Sequence, residues 1–213
     1  DYRIVPLADY EPDILYQKQV EAYYADPGLN KPVGRFGNAA DKWGLANWMA
    51  AAVADAADAD VGFYHIGGVR LDSIPAGGVS AAKVYGLEPF GTLVARMEMT
   101  PAQMRRMIVS KYNDPVNAKE AHRIDLISTT PYVIVTDAAD NALDVQFPKL
   151  REGRKYKVAV SDYIYRNYKD MEYTGGEITV DGMGGNRLVE LRDENPLEND
   201  KSARERGGPE KAP

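Results

Sequence analysis

The segment WGLANWMAAAVADAAD, residues 43–58, constrains the fold of this chain more than any other. Its Ala, Leu and Met residues favour a helix, and side chains this small let that helix press close against whatever it packs on. The spacing predicts a buried helix over 44–58. Asp60-Val61 then leads directly into VGFYH, a short strand over 61–65, and Gly67-Gly68 follow at once. A small-faced helix feeding a strand and a glycine turn needs a sheet to lie on. Arg70 leaves that turn at the end of secondary structure, where a side chain is held firmly yet stays exposed.

Further elements follow in order. Residues 13–25 place Ile14, Leu15, Tyr16, Val20 and Tyr23 in a helix-compatible stripe, which the two Pro and two Gly of residues 26–34 then stop. TLVARMEM (92–99) alternates as a strand. Thr100-Pro101 opens a helix with an N-cap and a proline at the first helical position. Residues 132–136 read as a strand, 137–144 as a turn and irregular connection, and 155–165, rich in aromatic and β-branched residues, as a strand. The expected fold class is α+β, a mixed β-sheet packed with helices. The expected division is a helical lead-in over 1–30, one domain over 31–189, and a charged, flexible tail over 190–213.

Composition narrows the function classes. A formal charge of -6 over 213 residues argues against a nucleic-acid polymer or an anionic membrane as partner, although Arg105, Arg106 and Lys111 form a local cluster suited to an anion. No apolar run approaches the roughly 18 residues of a membrane span, and no signal segment is visible at Asp1. The absence of Cys removes thiolate chemistry and Cys-metal sites.

Motif chemistry is sparse. The two histidines, His65 and His122, lack the HxxxH spacing of a metal site. His65 at a strand end suits packing or ligand contact, and His122 suits a surface loop. Ser80-Ala-Ala-Lys83 matches SxxK without its companion signatures, so a cap by Ser80 and an exposed Lys83 are expected. Arg70, flanked by glycines, carries a planar charged fork for phosphate or carboxylate, or fastens a loop by a salt bridge. Phe90, between Pro89 and Gly91, is either a core wedge at a turn or a platform for a flat ligand.

Five blocks in register carry the reading further: LANWMAAAV from Leu45, ADVGFYHIGGVR from Ala59, IPAGGVS from Ile74, VYGLEPFG from Val84 and LVARMEMTPAQMR from Leu93. Together they resemble the carboxy-terminal, substrate-binding domain of 5'-nucleotidases and UDP-sugar hydrolases. The likeness is sharp over 43–108 and weaker over 30–165. In that family a separate amino-terminal metallophosphatase domain binds two divalent metal ions and performs hydrolysis. The carboxy-terminal domain supplies the base-binding pocket.

The resemblance therefore implies a noncatalytic module that binds a nucleotide, a nucleoside or a UDP-sugar-like ligand. No cofactor is expected in this chain; the two metal ions belong to a metallophosphatase partner domain, in cis or in trans. A periplasmic or extracellular location is implied by the same likeness. The alternative is a structural or protein-interaction domain that kept the fold while its pocket degenerated.

By resemblance, Arg70 contacts the charged part of the substrate, with Gly67 and Gly68 shaping its turn, while Phe90 and Tyr163 form an aromatic clamp around the base. Arg35 aligns with an upstream substrate-contacting arginine. Three departures stand out. Thr92 occupies a position where the family often has Asn, losing an amide. His65-Ile66 puts bulk where a small turn residue is usual. The family's GGDG loop is replaced after Tyr163 by IYRNYKD, leaving Asp170 as the carboxylate able to face the base.

Overall fold

A computed structural model describes residues 10–115, 125–168, 174–182 and 210–211. Asp170 and His122 lie outside the described residues, as does most of the expected 190–213 tail.

The fold is built around a five-stranded mixed sheet. Its strands are β3 (Val61–His65), β6 (Leu93–Met99), β7 (Leu126–Ser128), β10 (Tyr156–Ser161) and β11 (Thr174–Gly182), in the spatial order β11-β6-β10-β3-β7. The neighbours β10 and β3 run parallel, whereas β6 is antiparallel to β10 and to β11, and β3 to β7. The α+β architecture and the sheet formed by 61–65, 93–99 and the start of the 155–165 segment agree with the sequence reading.

Side chains alternate across this sheet as the two-residue period demands. Val61 and Phe63 of β3, Ala95, Met97 and Met99 of β6, and Val158 and Val160 of β10 enter one core. Tyr64, Val94 and Ala159 enter the other. The helix α3 (Lys42–Ala56) packs on the second face, burying Leu45, Ala46, Met49, Ala50 and Val53. Its closeness is set at Gly62, where an added Cβ would stand 2.2 Å from the Ala50 carbonyl oxygen and 2.9 Å from the Ala54 methyl. The Ala-rich helix and the glycine in the adjacent strand are thus two halves of one contact.

The first core is completed by α5 (Pro101–Tyr112) and the hairpin of β8 (Val133–Thr136) and β9 (Ala142–Gln146), to which β12 (Glu210–Lys211) adds a parallel strand. Thr100 and Gln103 close a reciprocal capping box at the start of α5, with Pro101 in its first turn. On the opposite side lie β1 (Pro32–Phe36) paired with β5 (Gly77–Ser80), and β2 (Ala40–Asp41) paired with β4 (Ser73–Ile74). The helix α4 (Ala81–Leu87) follows β5, with Ser80 as its cap and Lys83 exposed.

Three local expectations are corrected. The 137–144 segment is a tight turn followed by β9: Asp137 Oδ1 accepts the backbone N–H groups of Ala139 and Asn141, and Asp140 takes a left-handed φ of 62°. The 155–165 strand stops at Ser161, whose hydroxyl accepts the Ile164 N–H and starts α6 (Asp162–Asn167). Residues 26–34 do more than stop a helix, because α2 (Pro27–Asn30) and β1 form there.

The lead-in helix α1 (Ile14–Tyr24) is capped by Asp13, and none of its residues is buried. No helix among the described residues is long and apolar enough to cross a membrane.

Candidate ligand-binding site

The open end of the central sheet carries a cavity of about 550 Å³. His65 at the end of β3, Gly67 in the short 3-10 turn Ile66–Gly68, Phe90 and Thr92 from the turn between α4 and β6, and Tyr163 from the first turn of α6 all line it. Phe90 and Tyr163 are 59% and 50% exposed, unusual for rings on a packed domain, and they border the same space. Of the two readings left open for Phe90, the core wedge is removed.

The Phe90 turn is held from beneath. Gly91 takes a φ of +64°, a left-handed conformation that glycine enters without a Cβ penalty. Thr92 is buried and its hydroxyl donates to Glu88 Oε1 at 2.5 Å, so the hydroxyl that replaces an amide faces inward. Glu88 has no exposed surface, and burial pushes its carboxyl above the usual carboxylate range against the hydrogen bonds it accepts from Thr92 and the turn backbone. Its Oε2 and the buried Tyr64 hydroxyl have no hydrogen-bond partner among the described residues.

His65 lies flat on Tyr163, with ring centroids 4.6 Å apart and planes 20° apart. Burial lowers its pKa to about 4; the Asp125 carboxylate opposes that shift and Lys111 adds to it. The ring is therefore a neutral imidazole at neutral pH.

Lys111, Asp125, Asp162, Arg166 and Asn167 also line the wall; Lys111 belongs to the basic cluster read from the sequence as suited to an anion, and the other four are not foreseen as site residues. Lys111, in the last turn of α5, stands 3.6 Å from Asp125 Oδ2, which also accepts from the buried Tyr168 hydroxyl. Asp162 accepts the Leu93 N–H and pairs with Arg166 at 3.6 Å. These residues come from element ends that the topology gathers, and no local motif marks them. The one available signal is Ser161-Asp162, a cap followed by an acidic first-turn residue. Arg105 and Arg106, grouped with Lys111 by sequence, instead border a separate surface groove, where Arg105 is engaged by Glu152.

Two cations and two carboxylates balance along the cavity wall, and Arg70 adds positive charge beside Phe90. Its guanidinium carbon is 5.8 Å from the Phe90 ring centroid, with Nη1 3.4 Å from the Gly67 carbonyl oxygen. Arg70 is exposed, and among the described residues it has this loose hold and no tight salt bridge of the kind that fastens a loop. Gly68 is buried behind the cavity wall. Arg35 is exposed on β1, opposite Gly78 of β5, and is not part of the cavity lining.

The model of the 5'-nucleotidase C-terminal domain matches residues 29–174, more than half of the chain. The chain belongs to that family. No curated protein matches the sequence. Among solved structures, this 5'-nucleotidase C-terminal domain is similar to a 5'-nucleotidase precursor of Thermus thermophilus, with a TM-score of 0.66 and 16% identity over 95% of this chain and 44% of that one. It is also similar to the NAD nucleotidase of Haemophilus influenzae, with a TM-score of 0.67 and 14% identity over 94% of this chain and 42% of that one. A third likeness, to the sulfate thiohydrolase SoxB of Thermus thermophilus, has a TM-score of 0.61 and 14% identity over 95% of this chain and 40% of that one. The chain thus spans less than half the length of each, and at these identities the likeness is one of fold.

Proposed function

We propose that this domain holds a nucleotide, a nucleoside or a UDP-sugar-like ligand for a two-metal phosphoesterase. The carrying observation is that Phe90 and Tyr163, two exposed rings on separate turns, border one cavity with an arginine beside it. A flat base gains by stacking on such rings whatever its edge groups, and Arg70 offers a permanently charged fork for a phosphate. Among the described residues no group of three or more His, Cys, Asp or Glu is placed to hold a metal ion. The donor set does not fit a pair of divalent ions, so hydrolysis is assigned to a metallophosphatase domain, in cis or in trans. An exported location, periplasmic or extracellular, belongs to the same reading.

The test is phosphate release from AMP and a UDP-sugar with added divalent metal. The pure domain is expected to give no turnover above background, and addition of a cognate metallophosphatase domain is expected to restore it. Rapid metal-dependent hydrolysis by the pure domain alone would refute the assignment. Arg70→Ala should weaken AMP relative to adenosine by roughly 1.5–3 kcal/mol, the worth of a charge-assisted hydrogen bond.

A second reading, a protein-interaction domain, is favoured by one observation. Tyr16, Val20, Tyr23 and Tyr24 recur on one face of α1, and all four are exposed. Failure of AMP, adenosine and a UDP-sugar alike to bind would move the weight to it.

A further inference from the structure

The second glycine of the pair before Val69 and Arg70 has a steric purpose, whereas a Cβ on Gly67 would make only an ordinary contact at 3.7 Å from His65. A Cβ on Gly68 would stand 2.6 Å from His65 Cε1, 2.9 Å from His65 Nε2 and 3.0 Å from Tyr64 Cε1. The backbone of the turn is thus a wall against which two rings rest. Tyr64 is fully buried, with its centroid 5.2 Å from that of His65 and the planes 32° apart. Tyr64 meets His65 at a tilt and His65 stacks on Tyr163, so the three rings touch in sequence from the core to the cavity.

Tyr163 needs such support. It is half exposed on a helix of six residues, so burial does not fix its rotamer. Tyr168 meets it only edge-on, at 6.3 Å and 78°. His65 covers ring surface that solvent would otherwise share and is itself pinned between Tyr64 and the Gly68 backbone.

We infer that His65 is a positioning residue of the site: it presets the ring of Tyr163, so that a planar heteroaromatic ligand meets an ordered stacking surface instead of having to order one. This rests on the reading of the cavity as a ligand site and adds a residue to its machinery. A ligand that must immobilise a free side chain loses the corresponding entropy from its affinity. Removal of the imidazole should therefore weaken binding roughly three- to tenfold, and a flat apolar ring at the same position should restore it.

Full-chain protein, His65→Ala and His65→Phe are compared by two measurements, with thermal melts to establish folding. In the first, without ligand, NMR of the Tyr163 ring protons, assigned against Tyr163→Phe, is expected to show an upfield ring-current displacement that disappears in His65→Ala and returns in His65→Phe. Identical Tyr163 signals in the unsubstituted protein and His65→Ala would overturn the inference. In the second, AMP is titrated. Weaker binding by His65→Ala with recovery in His65→Phe supports the positioning role, whereas equal affinity in all three overturns it and leaves the ligand site standing. Absence of AMP, adenosine and UDP-sugar binding by the unsubstituted protein removes the site, and the positioning role with it, even where the ring-current displacement is found.

Discussion

The imidazole of His65 stacks on the phenol ring of Tyr163, far along the chain, with 4.6 Å between centroids. Parallel pairing of β3 with β10 brings them together: Val61, Gly62 and Phe63 lie opposite Val158, Ala159 and Val160, so the two strands end side by side. His65 ends one strand, and Tyr163 lies in the first turn of the helix after the other.

Because burial holds His65 neutral, acid should destabilise the fold through this residue. Its pKa falls from 6.5 to about 4 on folding, so between those values the unfolded chain binds the proton and the folded one does not. This contribution is fully present above about pH 6.5, declines as the pH falls, and levels off below about pH 4. Its full size is about 3 kcal/mol, from about 1.4 kcal/mol per pH unit. Chemical denaturation at pH 7 and pH 4.5 should show a larger loss for the unsubstituted protein than for His65→Phe, which lacks the titrating group. Equal losses would mean that the imidazole is already solvated.

Contact between α3 and the sheet leaves no room for a methyl at Gly62, whose Cβ would meet backbone at 2.2 Å. Gly62→Ala should cost about 2–3 kcal/mol, in the range of overpacked cores. Gly78→Ala is the control, since nothing lies within 4 Å of a Cβ there, and it should change stability by less than about 0.5 kcal/mol. Denaturant midpoints compare the two directly.

The hydroxyl of Thr92 is the side-chain donor to buried Glu88. Thr92→Val keeps the shape and removes that donor, which should cost about 0.5–1.5 kcal/mol, the net worth of one hydrogen bond, because the turn backbone still donates to the carboxyl. If the turn depends on this bond, AMP binding falls with stability, because Phe90 rides between the two residues. Unchanged melting would show that Glu88 finds another donor.

Much of this architecture is legible along the chain. The small residues of 43–58 announce a closely packed helix, and Thr100 and Pro101 announce α5, because caps and steric fit are local chemistry; the matching glycine at 62 and the reciprocal cap by Gln103 emerge only in the structure. Where the strand reading overruns, a single polar residue wins: Ser161 turns an aromatic strand pattern into α6. The turn at Asp137 agrees with the reading, and what the reading misses there is β9, whose pairing with β8 is set by a partner strand and not by its own residues. At the cavity, His65, Gly67, Phe90, Thr92 and Tyr163 are reachable through their motifs, while Asp125, Arg166 and Asn167 are not. Those three are placed by packing between distant elements, which no short window of sequence encodes.

The central claim is that Phe90 and Tyr163 hold a flat base, and calorimetry with AMP tests it most directly. The unsubstituted domain should bind, and Phe90→Ala and Tyr163→Ala should each lose about 1–3 kcal/mol, the worth of one base stacked on an aromatic side chain. AMP bound with unchanged affinity by both variants, or not bound by the unsubstituted domain, would contradict the account.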